Sequence, residues 1–261
     1  CGAVHLHGSP DNRLLADLDC NGWPQTGRNK ALLEIRRAWA PHICGDQHLS
    51  VVVQHGIDRH GDGPYAFTSP AIVNTIYGRW WHPEDEQPGP NAVPNSPLAW
   101  TGEYLDGLGN PITMLAYANP EDRRDEMKRA DGYGLVRFHK KDRTITFECW
   151  PRFCDVRDGD QAQFPGWPVT VRMQENDGRT PVGWLPEVVV DGADSAVVQV
   201  VDEADGEILY TVRTASNRFH PPVYAEGKYT LRIGRDKPDG RTIQGLRPGD
   251  KDTQPALRVR M

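Results

Sequence analysis

The tetrapeptide Gly45-Asp46-Gln47-His48 holds the residues whose types and spacing best suit chemistry in this chain. A carboxylate and an imidazole two residues apart are hard-to-borderline ligands for ions such as Zn, Fe or Mn. The alternative is structural: Asp46 caps a turn and His48 donates to the backbone, as polar side chains in turns often do. The pattern by itself leaves both a metal site and a plain turn open.

The flanking residues predict the elements that hold this tetrapeptide. Apolar positions within residues 32–39 recur at helical spacing and predict a helix, with Thr26 or Asn29 as its N-cap. Residues 42–44 predict a buried strand that leads into the tetrapeptide, and residues 49–53 predict a second strand that follows it. A loop at a strand end is where α/β proteins place binding residues, because the sheet fixes the loop backbone.

The remaining first half of the chain alternates strand-like runs with loops. Residues 54–64 and 82–99 are rich in Gly, Asp, Pro and Asn, and they predict irregular loops. Four runs predict further strands, and the last two form a hairpin with a polar turn at 140–143. These runs are 65–73, 110–118, 134–139 and 144–150.

A change of composition near residues 155–165 predicts a domain boundary, with domains at 1–158 and 159–261. Short alternating strands follow at 196–201, 208–212 and 228–233. Alternation of this kind, separated by turns, is typical of a small antiparallel sandwich. The sequence therefore predicts an α/β first domain followed by a small all-β domain.

Composition excludes several classes of function. The chain has 261 residues and a net charge of -6, with a mean hydropathy of -0.63. Lys and Arg are dispersed among acidic residues, so no basic stripe indicates nucleic-acid binding. No apolar run approaches the length of a membrane span. The chain also lacks the G-x-S-x-G, Walker and H-E-x-x-H patterns.

The five cysteines do not form a metal-binding or disulfide framework. Their odd number and the lack of a repeated C-x-x-C spacing argue against both. Cys44 is predicted to be a small buried hydrophobe. Cys149 and Cys154 either close a short disulfide loop in an oxidising compartment or stay free. Because the first motif is not preceded by a signal peptide and the chain begins at Cys1, a fragment or processed product of a longer protein is expected.

Four blocks of sequence, in order, carry a resemblance to a known family. The first is Asp19-Cys20-Asn21-Gly22-Trp23-Pro24 with Arg28, and the second is the Gly45–His48 tetrapeptide. Phe67–Ile72 and Asp131–Val136 are the third and fourth. Together they resemble the C-terminal portion of PhoD-like alkaline phosphatases, in the calcineurin-like metallophosphoesterase superfamily. The resemblance covers residues 10–155.

The resemblance implies a fold and an activity. It implies the C-terminal part of an αββα sandwich, followed by the β domain, and the metal-dependent hydrolysis of phosphate monoesters or diesters. A dinuclear site of Fe, Ca, Zn or Mn is implied, with His48 and Asp46 as ligands. Arg28 would clamp a phosphate oxygen, and the alternative is a structural ion pair with Glu34 or Asp19. Secretion or a periplasmic location is implied by the resemblance alone.

The departures from the family pattern set limits on this expectation. The early motifs that supply most of the metal ligands are absent from the chain, so it is expected to contribute part of an active site and to be inactive alone. Asn21 stands where the family has an acidic residue. Trp23 either lines the substrate pocket or packs beneath the loop. His55 and His60 either approach the metals or are solvated.

A binding module is the alternative function. In that interpretation the phosphatase sheet is degenerate, and the C-terminal β domain docks on a carbohydrate or a partner protein. Four aromatic residues would provide the docking surface if they were exposed, and their burial would count against it. They are Trp167, Trp184, Tyr210 and Tyr229.

Overall fold

The computed structural model places the chain in two compact units that consist mostly of β-strands. The first unit contains residues 1–35, 40–139 and 144–178, and the second contains 36–39, 140–143 and 179–261. The residues that the structure describes are 22–45, 48–72, 80–83, 85–122, 124–251 and 253–261.

The first unit begins, within these residues, with one α-helix and continues as strands. The bounds are α1 Gln25–Arg37, β1 His42–Cys44, β2 Ser50–His55, β3 Tyr65–Thr68, β4 Gly102–Leu105, β5 Pro111–Ala118, β6 Gly132–His139, β7 Thr144–Pro151 and β8 Val169–Arg172. Short 3-10 helices lie at Glu126–Lys128, Val156–Ala162 and Met173–Asp177.

Five of these strands form one sheet in the order β1-β3-β2-β5-β4. β1 pairs with β3 in parallel, with Cys44 opposite Thr68. β2 is antiparallel to both β3 and β5. The ends of β1 and β3 and the beginning of β2 therefore lie at the same edge of the sheet.

A second sheet, in the order β6-β7-β8, packs against one face of the first. The core between them includes aromatic rings from both sheets: the Phe67 and Phe147 ring centroids lie 5.5 Å apart. Trp167 meets Phe67 edge-on at 5.6 Å. Ile145, Phe147 and Cys149 alternate inward along β7, as the two-residue period of a strand requires.

The opposite face of the five-stranded sheet has its own apolar core. Trp81 is fully buried there, and its indole N–H donates to the carbonyl of Trp100 at 3.0 Å. The other core residues are Leu49, Val51, Val53, Ala66, Ile112, Met114 and Tyr117. Both faces of the sheet are thus covered, which explains why β2 and β3 are buried along nearly their whole length.

Every regular element that the structure describes within residues 179–261 is a strand. The bounds are β9 Gly183–Trp184, β10 Val188–Asp191, β11 Val197–Asp202, β12 Ile208–Arg213, β13 Arg218–Phe219, β14 Pro222–Val223, β15 Tyr229–Gly234, β16 Arg241–Leu246 and β17 Leu257–Arg260. They form sheets in the orders β12-β11-β15-β16, β13-β10-β17 and β14-β9.

Replacing Tyr210 with phenylalanine is expected to lower the free energy of unfolding by about 1–2 kcal/mol. The ring of Tyr210 is fully buried, and its hydroxyl donates to the carbonyl of Pro222 at 2.8 Å. Phenylalanine fills the same space but leaves that carbonyl without its donor. Urea denaturation measures the difference, and Tyr133→Phe, at a ring that is 38 % exposed, should change stability by less than about 0.5 kcal/mol.

Much of the predicted order of elements is confirmed. The helix, the hairpin β6–β7, the strand β5 and the strands β11, β12 and β15 lie where the sequence predicts them. The predicted N-cap was wrong, because α1 begins at Gln25 and both Thr26 and Asn29 lie inside the helix. The expectation of a buried strand at 42–44 was wrong, because β1 is an edge strand with Ile43 48 % exposed. Cys44 is accordingly half-buried, and the strand predicted at 65–73 ends at Thr68.

The division between the units falls at Gly178, whereas the sequence analysis placed it after residue 158. The reason is that the chain returns to the first unit: β8 pairs with β7, with Ile145 opposite Val171. Cys149 and Cys154 are both free thiols, so a disulfide does not close the short loop between them. The αββα layering stays a prediction, since the described residues are mostly strand and contain one α-helix.

Among the described residues, none of the helices has the length and the apolar character that crossing a membrane would require.

Candidate functional site

The candidate site lies at the sheet edge where β1 and β3 end and β2 begins. Cys44 and Thr68 are the last residues of their strands and lie opposite each other. Val51, the second residue of β2, pairs with Thr68. The Gly45–His48 tetrapeptide therefore follows β1 beside the end of its parallel neighbour β3. It precedes β2, which is two strands away from β1 in the sheet.

His48 is held by the strand that follows it. Leu49 and Ser50 are almost completely buried, so the chain is fixed immediately after the imidazole. His48 itself is half-buried and has a φ of 54°. Few residues other than glycine adopt this left-handed conformation, and where they do, the surrounding structure must hold them. Asp46, the other predicted ligand, lies outside the described residues.

Two further blocks of the resemblance meet the same edge. The backbone N–H of Ser69 donates to the carbonyl of Cys44 at 2.8 Å, and that of Gly132 donates to the carbonyl of Ala71 at 3.0 Å. Gly134 lies so close to Phe67 that a Cβ at this position would overlap the phenyl ring. Cys44, which directly precedes the tetrapeptide, and the segments 67–72 and 131–136 are thereby brought to one place.

A chain of hydroxyl and thiol groups lies beneath this edge. The thiol of Cys149 donates to Ser50 Oγ at 3.2 Å, and Ser50 Oγ donates to the carbonyl of Thr68 at 2.8 Å. Burial raises the pKa of Cys149 to about 12. A thiol with so high a pKa is not a nucleophile at neutral pH. Ser50 and Cys149 therefore link the two sheets directly behind His48.

Arg28 lies at the other end of β2. Its guanidinium donates to the carbonyl of Gly56 at 2.8 Å and approaches His55 Nδ1 at 3.3 Å. His48 precedes β2 and His55 ends it, and a strand rises by about 3.3 Å per residue. The two predicted site residues are therefore separated by about 17 Å of strand, and the structure does not bring them together.

Arg28 is buried in the vicinity of two carboxylates. The residue is 5 % exposed, and its Nη1 also donates to Asn29 Oδ1 at 2.8 Å. Burial lowers the pKa of Arg28, and the charges of Asp106 and Asp62 oppose that shift. Among the described residues, the buried Nε finds no hydrogen-bond acceptor. Arg28 forms contacts inside the fold rather than at an open surface.

Two buried carboxylates lie near Arg28 without touching its guanidinium directly. Asp62 accepts from the backbone N–H groups of Ile57 and Asp58, at 2.6 and 3.1 Å. Asp106 accepts from the backbone N–H and the side-chain amide of Asn110. Burial raises the pKa of Asp106, and the hydrogen bonds of Asn110 partly offset this. Asp62 and Asp106 therefore stabilise their own loops by accepting backbone N–H groups, and their negative charges stabilise the buried guanidinium of Arg28.

The two loop histidines occupy different environments. His55, expected either to be solvated or to approach the metals, is 1 % exposed and belongs to β2. His60 lies 2.9 Å from the carbonyl of Tyr104 through Nε2. His55 is the last residue of β2 and His60 follows it, so both lie away from His48, which precedes the strand. His42, which the sequence analysis treated only as a strand residue, contacts His55 and was missed because their proximity depends on the sheet.

The described residues do not complete a metal centre by themselves. They contain no cluster of three or more His, Cys, Asp or Glu side chains with the spacing of metal ligands. At the candidate edge they supply the imidazole of His48 and the half-buried thiol of Cys44. The donor set fits a site that would need further ligands, with Asp46 as the nearest one in sequence.

Three of the four aromatic residues of the alternative binding module are buried. Tyr210 and Tyr229 are fully buried, and Trp167 is 7 % exposed. Trp184 is half-buried. Trp23, in contrast, is 50 % exposed beside the start of α1. The burial of Trp167, Tyr210 and Tyr229 counts against the binding-module interpretation.

Comparison with known proteins identifies no relative: neither a protein-family model, nor a curated protein, nor a solved structure matches the chain.

Proposed function

We propose that this chain contributes to metal-dependent hydrolysis of phosphate esters, with His48 as a metal ligand. The observation that carries the proposal is that the segments 67–72 and 131–136 meet at the sheet edge where Cys44 leads into the tetrapeptide and His48 leads out of it. The two segments and the tetrapeptide are three of the four blocks that resemble PhoD-like phosphatases. The blocks are spread over about ninety residues. A shared site would account for the fact that the fold brings them together.

The position of His48 suits a ligand role. A rigid strand begins right after it, and its left-handed backbone directs the side chain differently from an extended residue. Strained backbone of this kind is found at sites where a side chain must be aimed. An imidazole held in this way binds a divalent or trivalent ion through one nitrogen.

A metal pair would supply the chemistry that no described side chain offers here: it polarises a phosphoryl oxygen and generates hydroxide at neutral pH. The chain's own contribution would be His48 and, outside the described residues, Asp46. Further ligands would have to come from other parts of the protein. Ser50 and Cys149, which link the two sheets behind His48, would keep the imidazole in place.

Arg28 has no part in this proposal as a phosphate clamp. Its guanidinium is committed to Gly56 and His55 at the far end of β2. We assign it a structural role, which its burial supports.

The natural protein that contains these residues is expected to hydrolyse p-nitrophenyl phosphate or bis(p-nitrophenyl) phosphate only when metal is bound. Dialysis against a chelator should remove activity, and adding back one of Fe, Ca, Zn or Mn should restore it, because hydroxide generation depends on the ion. Steady-state hydrolysis and elemental analysis of the same samples measure both quantities. Activity that is unchanged in metal-free protein would contradict the proposal.

A further inference from the structure

A row of hydrogen bonds runs from buried Arg28 to half-buried His42. Arg28 Nη2 lies 3.3 Å from His55 Nδ1, and His55 Nε2 lies 3.5 Å from His42 Nδ1. The two imidazole rings are tilted by 31° with their centroids 5.7 Å apart. The row joins three elements: the first turns of α1, the end of β2 and the start of β1.

The direction of each hydrogen bond follows from Arg28. A guanidinium can only donate, so His55 Nδ1 must accept and carries no proton. In the neutral ring the proton is then on Nε2, which donates to His42 Nδ1. His42 Nδ1 is therefore also an acceptor, and the proton of neutral His42 is on its Nε2. One tautomer of each ring satisfies the whole row.

The charges that face this row come from every neighbouring element. Arg28 contributes the positive charge from α1. The loop after β2 contributes Asp62, whose oxygens accept backbone N–H groups of residues 57–59. The turn between β4 and β5 contributes Asp106, which is occupied by Leu108 and Asn110. Among the described residues, His55 is therefore in hydrogen-bond contact with a cation, and neither imidazole is in hydrogen-bond contact with a carboxylate.

We propose that protonation of His42 weakens the hydrogen bonds that hold the start of helix α1 to the end of β2. We call this row of Arg28, His55 and His42 the latch. A proton from solvent that binds His42 Nδ1 takes the lone pair that accepts from His55. Two N–H groups then face each other, and His55 can relieve this only by moving its proton to Nδ1, where it faces Arg28. Protonation of His42 therefore breaks one of the two links: the bond between His42 and His55 if His55 keeps its tautomer, or the bond between His55 and Arg28 if it does not. The second case removes one of the hydrogen bonds that hold α1 to the end of β2.

The electrostatics agree in direction with this geometry. Burial lowers the pKa of His42 from its ordinary 6.5, and Arg28 adds to the shift. Burial and Arg28 lower the pKa of His55 much further. In the unfolded chain both rings take up protons near 6.5, so below that pH the unfolded state binds more protons. Stability is therefore complete above about pH 6.5 and falls as the pH decreases.

Amide hydrogen exchange at residues 28–30 tests the latch. Between about pH 7.5 and about pH 5, the opening equilibrium of these amides, corrected for intrinsic exchange, should increase about tenfold for each unit by which the His42 pKa is lowered. In His42→Gln the side-chain oxygen can still accept from His55 but does not titrate, so the increase should be smaller than in the wild type, and the remainder is due to His55. His139→Gln, at an exposed histidine of β6, is the matched control and should keep the increase.

Two results would overturn the proposal. One is an unchanged opening equilibrium across this pH range in the wild type, or an increase in His42→Gln that is as large as in the wild type. The other comes from the tautomer, which two-bond ¹H–¹⁵N correlation spectra of the wild type report directly. A proton on Nδ1 of His55 at neutral pH would reverse the row, and this measurement decides the question even if His42→Gln does not fold.

Discussion

Replacing His48 with alanine is expected to reduce the metal-dependent hydrolysis of phosphate esters at least about 100-fold. Loss of an outer-sphere partner of a metal ligand already costs about 10–100-fold in affinity or activity, and loss of the ligand itself should cost more. The fold should survive, because His48 precedes the strand and the core residues after it, Leu49 and Val51, are unchanged. Steady-state rates and metal content of the purified variant measure the effect.

The matched control is His139→Ala, at an exposed histidine on β6. It should retain activity and metal content. A His48→Ala protein that keeps its metal and its turnover would remove the proposed ligand role. A loss of activity with an unchanged melting temperature would separate a site defect from unfolding.

Arg28→Leu is expected to lower the free energy of unfolding by about 3 kcal/mol. Leucine fits a buried position but provides none of the donors that reach Gly56 and His55. Two buried acceptors would then be unsatisfied, at about 1–3 kcal/mol each, and the loss of a desolvated charge partly compensates for this. Chemical denaturation of the wild type and the variant measures the difference.

Two further substitutions sharpen the Arg28 experiment. Arg28→Lys keeps the charge but lacks the planar fork, so it should lie between the wild type and Arg28→Leu. Lys30→Leu, at an exposed position of the same helix, should change stability by less than about 0.5 kcal/mol. If Arg28→Leu were as stable as Lys30→Leu, the structural assignment of Arg28 would be wrong.

Local patterns explain the parts of the fold that the sequence predicts well. The hairpin β6–β7 combines two alternating runs with a short polar turn, and its two strands pair with residues close in sequence. The same is true of β11 and β12. A two-residue period reports which side chains face inward, so such segments are predicted without knowledge of the rest of the chain.

Pairing between distant segments is what local patterns could not supply. The return of β8 to β7 moves the division between the units from residue 158 to Gly178, because the linking segment has no strong period of its own. The exposure of β1 has a similar cause. Whether an apolar strand is central or at an edge depends on its neighbours in the sheet.

The candidate site was likewise predictable where it depends on local sequence and not where it depends on contacts between distant segments. The tetrapeptide at 45–48 could be recognised from residue types, and its place at a strand end followed from the flanking runs. The distance between His48 and Arg28 could not be predicted, because both residues precede β2 in sequence but lie at opposite ends of it. The row formed by Arg28, His55 and His42 was equally hidden, since its members are 13 and 27 residues apart.

The burial of Cys149 between the two sheets of the first unit has a practical consequence. Its thiol is shielded from thiol-modifying reagents, and it is deprotonated only at strongly alkaline pH, whereas Cys154 lies nearer the surface. Alkylation of Cys149 then requires the sheets to part, so its rate reports how often this happens under native conditions. Cys149 is thus a native chemical probe of transient opening between the two sheets.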